Sequence, residues 1–333
     1  MPLRGEAPVK RVAILDDYQG EVLALADWKR LEDRASIDVF RDTLKAEDEL
    51  VARLKPYEIV VPIRERTRFP GSLLERLPSL RLLALTGKNS GHVDVAAATA
   101  SGILVADTEG SGPAAIEHSI ALLMALVRRI PQDDRAVREG RWQTGFGLEL
   151  AGKTLGILGL GRIGGRVAAF GKFLGMRVVA WGPTLTDERA KAAGVERLGL
   201  DALFGESDVV SVHLRLSDKT RGVVGARQLE AMKPTAYLVN TARGPLVDEA
   251  ALARVLRERR IAGAGLDVFD EEPLPKGHPF LGLDNLVMTP HTGYVTREAY
   301  RAFFAGVVDN VDAYLRGEIP ARCLNPDARE KRP

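Results

Sequence analysis

A single cysteine, Cys323, is present, so no disulfide can close within the chain. A lone thiol fits a reducing compartment, and the protein is expected to be cytoplasmic. Long apolar runs are missing too. The most apolar stretch, residues 120–127, is far shorter than the ~20 residues a bilayer demands and reads as a buried helix. The opening Met1-Pro2-Leu3-Arg4 lacks the apolar core of a secretion signal, so no membrane partner is expected. Neither sign of charge dominates. Lys and Arg number 47 against 45 Asp and Glu, a net +2, with no long block of one sign. That balance leaves no footprint for nucleic acid. Low-complexity tracts and short-period repeats are absent, and no metal site is expected.

What is present is globular. Apolar residues make up 45% and charged residues 28% of 333, a length that favours two domains over one. Short β-branched or apolar runs alternate with helical patterns. Strands are expected at 11–15, 37–40, 59–63, 80–85 and 103–106, with helices near 22–28, 47–54, 73–77 and 93–100. A long helix is expected over 113–129, where Pro113 suits the first turn and Ile116, Ile120, Leu123 and Val127 recur at helical spacing. A polar, glycine-dotted arm follows at 133–146. The alternation then restarts, with strands expected at 154–158, 177–181, 208–214, 236–240, 263–268 and 286–289, and a last helix at 297–315. Apolar strands separated by helices imply parallel sheets covered on both faces, an α/β fold with two doubly wound domains.

The run Gly159-Leu160-Gly161-Arg162-Ile163-Gly164 follows the strand 154–158 and opens a helix with apolar Ile163, Val167, Phe170 and Leu174. In this strand–turn–helix frame it reads as a dinucleotide-binding turn. The first glycine permits the turn, the second lets backbone approach a pyrophosphate, and the third lets helix pack on strand. The helix N-terminus favours that anion. The next strand ends at Trp181 and is followed by Gly182, not by the acid that usually bonds the adenosine ribose. NAD(H) is the expected cofactor, and Gly182 leaves NADP(H) open.

Hydride transfer from an alcohol needs a group to take the hydroxyl proton, and histidine suits neutral pH. There are five. His92 reads as a solvated loop residue, His118 as a packed helix residue and His278 as structural. His213, near a strand's carboxyl edge, is placed to touch the cofactor. His291, after the strand 286–289 and Pro290, is the strongest candidate for the proton. Asn240-Thr241-Ala242-Arg243-Gly244 also ends a strand, and an arginine there can grip a carboxylate through two parallel bonds. Asp267-Val268-Phe269-Asp270-Glu271-Glu272-Pro273 supplies four acids for orienting His291, and spacing does not choose between Asp267 and Glu272.

Taken together, these pieces resemble the D-2-hydroxyacid dehydrogenase family: 159–164 (GLGRIG), 240–248 (NTARGPLVD), 265–273 (GLDVFDEEP) and 289–293 (TPHTG), over nearly the whole chain. The resemblance implies a Rossmann dinucleotide-binding domain, 109–292, inserted in a discontinuous substrate-binding domain, 1–108 and 293–333. It implies that Arg243 binds the substrate carboxylate, that Glu272 supports His291 as acid/base, and that Asp267 bonds the nicotinamide carboxamide. Gly159, Gly161, Arg162, Ile163, Gly164, Trp181, His213 and Thr241 would join Asp267 around the cofactor. Backbone of the loop Thr86-Gly87-Lys88-Asn89-Ser90 would meet the substrate, and Arg64 and Arg66 would add positive charge, favouring a second anionic group. The resemblance also implies a homodimer built with 113–129 and 133–146. Departures include Gly182, Arg215 where proline is common, and Thr292-Gly293-Tyr294 after the histidine. The alternative is a nucleotide-sensing binding protein or corepressor on the same scaffold. Formate oxidation fits poorly, because formate has no hydroxyl proton for an Arg–Glu–His set to handle.

Overall fold

The computed structural model describes residues 9–88, 91–110 and 112–331. The chain folds as two compact units. One runs to Gly112 and resumes at Val295; the other is Pro113–Tyr294. The divides fall four residues and two residues later than the expected 108 and 292.

The first unit carries a five-stranded parallel sheet in the order β2-β1-β3-β4-β5, with β1 Lys10–Leu15, β2 Ala35–Val39, β3 Ile59–Pro62, β4 Leu82–Ala84 and β5 Leu104–Ala106. Three helices lie between strands: α1 Glu47–Leu54, α2 Gly71–Leu74 and α3 Val95–Ala100. In α1 the acids Glu47, Asp48 and Glu49 complement the helix dipole while Leu50 and Leu54 face the core. Leu54, Phe69, Leu73, Leu83 and Val105 pack together on one sheet face. The helix expected at 22–28 is instead two 3-10 turns, Val22–Ala24 and Trp28–Leu31. Asp17 binds the amides of Gly20 and Val22, and the Trp28 indole donates to the Val22 carbonyl at 3.0 Å, which winds the segment too tightly for an α-helix.

The second unit holds α4 Ala114–Val127, α5 Ile130–Arg138, β6 Thr154–Leu158, α6 Arg162–Phe173, β7 Arg177–Trp181, α7 Asp187–Ala192, β8 Glu196–Arg197, α8 Leu200–Glu206, β9 Val209–Val212, α9 Ala226–Glu230, β10 Tyr237–Asn240, α10 Glu249–Arg257, β11 Gly263–Leu266 and β12 Leu286–Met288. Its seven parallel strands run β12-β11-β10-β9-β6-β7-β8, so the winding reverses between β6 and β9. All five residues of β6 are buried, as a strand covered on both faces requires. Phe204, Leu238, Leu252 and Phe280 fill one face. Leu122, Leu126, Ile157 and Val167 fill the other. Part of the expected arm is helical: Arg129 takes a left-handed φ of 57°, ending α4, and Pro131 starts α5. The short β8 was not expected.

The final helix, α11 Arg297–Leu315, belongs to the first unit. Thr296 caps it by accepting from the Ala299 amide at 3.1 Å. It buries Phe303, Phe304, Val307, Val308 and Val311, worth on the order of 10 kcal/mol as an upper bound. Among the described residues no helix is long and apolar enough to cross a membrane.

Candidate active site

Strand register builds the site. Leu158 pairs with Trp181 and Val212, Val212 with Asn240, Asn240 with Leu266, and Leu266 with Met288. Gly159, Gly182, His213, Thr241, Asp267 and Thr289 therefore each stand one residue past a single level, on the carboxyl edge where parallel sheets bind ligands.

At the reversal of winding, Gly159 has φ 102°, and a Cβ there would lie 2.9 Å from the His213 carbonyl. A Cβ on Gly164 would lie 2.1 Å from the Gly159 oxygen, whereas one on Gly161 would meet nothing within 4 Å. The first and third glycines are packing requirements, and the second leaves open backbone before α6. That shape fits a dinucleotide pyrophosphate. Arg162 is exposed and Ile163 half-buried at the start of α6, and Trp181 is half-buried at the end of β7. His213 is half-buried, its Nε2 lying 2.8 Å from Ser211 Oγ. Burial pushes its imidazole down to about 4, so it is neutral near pH 7.

The loops after β10, β11 and β12 carry the candidate chemistry. A Cβ on Gly244 would sit 2.0 Å from the Phe269 carbonyl carbon, so the loop bearing Arg243 presses directly on the loop bearing Glu272. Arg243 is half-buried, and its Nη1 donates to the Ala242 carbonyl at 2.6 Å. Asn240 ties the turn by donating to the Arg243 carbonyl at 2.9 Å. One Glu272 oxygen accepts from the Phe269 amide at 2.9 Å; the other lies 2.6 Å from His291 Nδ1. Geometry thus chooses Glu272 over Asp267 as the acid that meets the His291 ring. Tyr294 stands edge-on to that ring at 5.5 Å.

Asp267 is 1% exposed and faces the backbone that surrounds His291. It accepts from the Thr289 hydroxyl at 2.6 Å and from the amides of Thr292 and Gly293 at 2.7 and 2.9 Å. Burial opposes its charge, yet hydrogen bonds from His118 and Thr289 hold the carboxyl below its usual range. His118 is therefore more than a packed helix residue, and Ser119 beside it bonds Thr241 at 2.6 Å. His92, expected in solvent, is buried in the first unit, where a parallel bridge between Phe69 and Val93 draws its loop inward. His278 caps a 3-10 turn and packs on Phe280.

In the first unit Arg64 has φ 55° and reaches back to the Thr86 carbonyl at 2.9 Å. Arg66 donates to the Asp16 carbonyl at 2.6 Å and to the Tyr300 hydroxyl at 3.1 Å, and stacks on Tyr18. The Gly87 amide, expected to be offered to substrate, donates to Thr108 Oγ1 at 2.6 Å. Lys88 is exposed, and Asn89 lies outside the described residues.

Residues 120–293 match the model of the D-isomer specific 2-hydroxyacid dehydrogenase NAD binding domain. The chain is similar to a glyoxylate reductase of Korarchaeum cryptofilum, 37% identical over 91% of this chain and 94% of that one. It is also similar to a D-3-phosphoglycerate dehydrogenase of Archaeoglobus fulgidus, 40% identical over 79% of this chain, though it spans only 50% of that protein. Among solved structures, a phosphoglycerate oxidoreductase of Vibrio cholerae superposes with a TM-score of 0.88 at 39% identity, covering 93% of this chain and 100% of that one. The chain belongs to the D-2-hydroxyacid dehydrogenase family and is an NAD(H)-dependent oxidoreductase moving a hydride between its cofactor and a 2-hydroxy or 2-oxo acid.

Proposed function

We propose that His291, Glu272 and Arg243 carry this reaction, on a small D-2-hydroxy acid or its 2-oxo partner. The observation that supports this most is the 2.6 Å bond between Glu272 and His291 Nδ1, one loop away from Arg243. With Nδ1–H donated to Glu272, Nε2 is the nitrogen that gives or takes the proton on the C2 oxygen. Glu272 stabilises the imidazolium that forms and fixes the ring. Arg243 grips the substrate carboxylate and polarises the neighbouring carbonyl. The nicotinamide, when bound, supplies or accepts the hydride at C2. The turn 159–164, Trp181, His213, Thr241 and Asp267 hold the cofactor. In the first unit, substrate contacts are assigned to Arg64, Arg66, Lys88 and Asn89, while the Gly87 amide is taken by Thr108. Two arginines suit a substrate with a second anionic group, such as 3-phosphohydroxypyruvate, beside glyoxylate and pyruvate-like acids.

The chain is further proposed to act as a cytoplasmic homodimer. Ile130, Val137, Trp142 and Phe146, on α5 and the segment after it, are all exposed, Phe146 at 98%. Such a concentration of solvent-facing apolar side chains is what a subunit interface covers.

The test is the absorbance of reduced nicotinamide, with NADH and NADPH in parallel, across glyoxylate, pyruvate, hydroxypyruvate and 3-phosphohydroxypyruvate. Turnover with one acid, abolished by His291→Ala, is expected. Undiminished turnover in His291→Ala would overturn the assignment.

A further inference from the structure

Helix α4 touches the row of strand ends through two consecutive side chains. The Ser119 hydroxyl donates to the Ala115 carbonyl at 2.6 Å, so the 2.6 Å contact with Thr241 has Thr241 as donor. The Thr289 hydroxyl likewise spends its one proton on Asp267. Its 3.0 Å contact with His118 therefore requires His118 Nε2 to donate, and the same nitrogen lies 3.2 Å from Asp267 Oδ1. What lets the helix come this near is Gly265 on β11, where a Cβ would stand 3.2 Å from Leu122.

Apart from His118, the groups that bind the Asp267 carboxylate flank His291. Thr289 precedes it by two residues, and Thr292 and Gly293 follow it at once. His291 itself holds φ 52°, a left-handed conformation that a residue with a Cβ keeps only under constraint. Glu272 holds the ring, but the ring bond does not fix the backbone. The carboxylate of Asp267 does, and His118 is the side chain from outside the loop that anchors it.

We propose that His118 is a positioning residue for proton transfer: by binding Asp267 and Thr289 it keeps the backbone around His291 in the conformation that presents its imidazole to Glu272. This rests on His291 being the acid/base. His118 acts through Asp267 and touches neither reacting atom.

The test compares His118→Leu, which removes the donor, with His118→Gln, whose amide offers an N–H near the place of Nε2–H. In His118→Leu, kcat for 2-oxo acid reduction falls about 30-fold, as for other supports of a reacting side chain. NADH affinity by fluorescence falls by less than kcat does, and the solvent deuterium isotope effect on kcat rises as proton transfer becomes limiting. His118→Gln recovers kcat to within about fivefold. A crystal structure of His118→Leu shows His291 out of its left-handed φ and its Nδ1 beyond hydrogen-bond reach of Glu272. Equal losses in both variants with an unchanged isotope effect, or an unmoved His291 in the crystal, would overturn the proposal. His291→Ala separates the two readings. If it abolishes turnover while His118→Leu is unaffected, only the role of His118 falls. If His291→Ala remains active, the acid/base assignment falls first.

Discussion

Glu272 divides its two oxygens between the Phe269 amide and His291 Nδ1, at 2.9 and 2.6 Å. Its backbone anchor keeps the carboxylate in place whether or not the histidine is charged. In Glu272→Gln the amide oxygen can still accept one of these bonds, but the negative charge is gone. We expect kcat to fall about 100-fold with the Michaelis constant for NADH unchanged. Steady-state rates check this, and a loss under about threefold would mean that the charge does not matter.

Cofactor choice is expected to turn on Gly182. An aspartate there is sterically allowed, because its Cβ would meet only Leu185 at 3.6 Å and Gly159 at 3.9 Å. Its carboxylate would bond a ribose 2′-hydroxyl and repel a 2′-phosphate. Gly182→Asp should raise the ratio of kcat/KM for NADH over that for NADPH at least about tenfold. An unchanged ratio would place cofactor discrimination elsewhere on the sheet edge.

The exposed Trp142 and Phe146 should sit in a subunit contact. Sedimentation at micromolar concentration is expected to show a dimer, and the double variant Trp142→Ser/Phe146→Ser a monomer. A monomeric parent protein would remove the proposal.

His213 makes stability depend on pH in a defined direction. Its folded value is about 4, below the ~6.5 of an unfolded histidine. Between those values the unfolded chain binds the extra proton, so stability is full above about pH 6.5 and declines as pH falls toward 4. Against His213→Gln, the parent protein should lose about 5 °C more of its melting temperature between pH 7.5 and 4.5. Parallel melting curves would show instead that the histidine titrates alike in both states.

Much of this was legible in the chain because parallel sheets write themselves plainly. β6 and β7 occupy the residues expected of them, since a strand buried on both faces is a continuous apolar run bounded by turn residues. The glycines of 159–164, Arg243 and His291 stood out as candidates because each follows such a strand, whereas Glu272 was separated from Asp267 only by the family resemblance. Less visible was anything fixed by tertiary contact. His118 reads from sequence as a packed helix residue because it lies on the long helix beside Glu117. The buried face follows Ser119, Leu122, Leu123 and Leu126, placing His118 beside it. The helix at 22–28 failed because Asp17 competes for its amides. α5 was missed because Arg129 adopts a left-handed turn that arginine does not advertise.

The alignment of strand ends also separates what this enzyme can change from what it cannot. Slipping β10, β11 or β12 by one residue would carry its appended group about 3.3 Å along the sheet and invert which face its side chains address. The slip would exchange side chains such as Leu238 and Val239 between the two packed faces and scatter the chemistry together with the core. Replacing residues beyond the level leaves the scaffold untouched. New substrates are therefore reached by exchanging the tips, while the strands beneath behave as a gauge block that sets every tip to a common height.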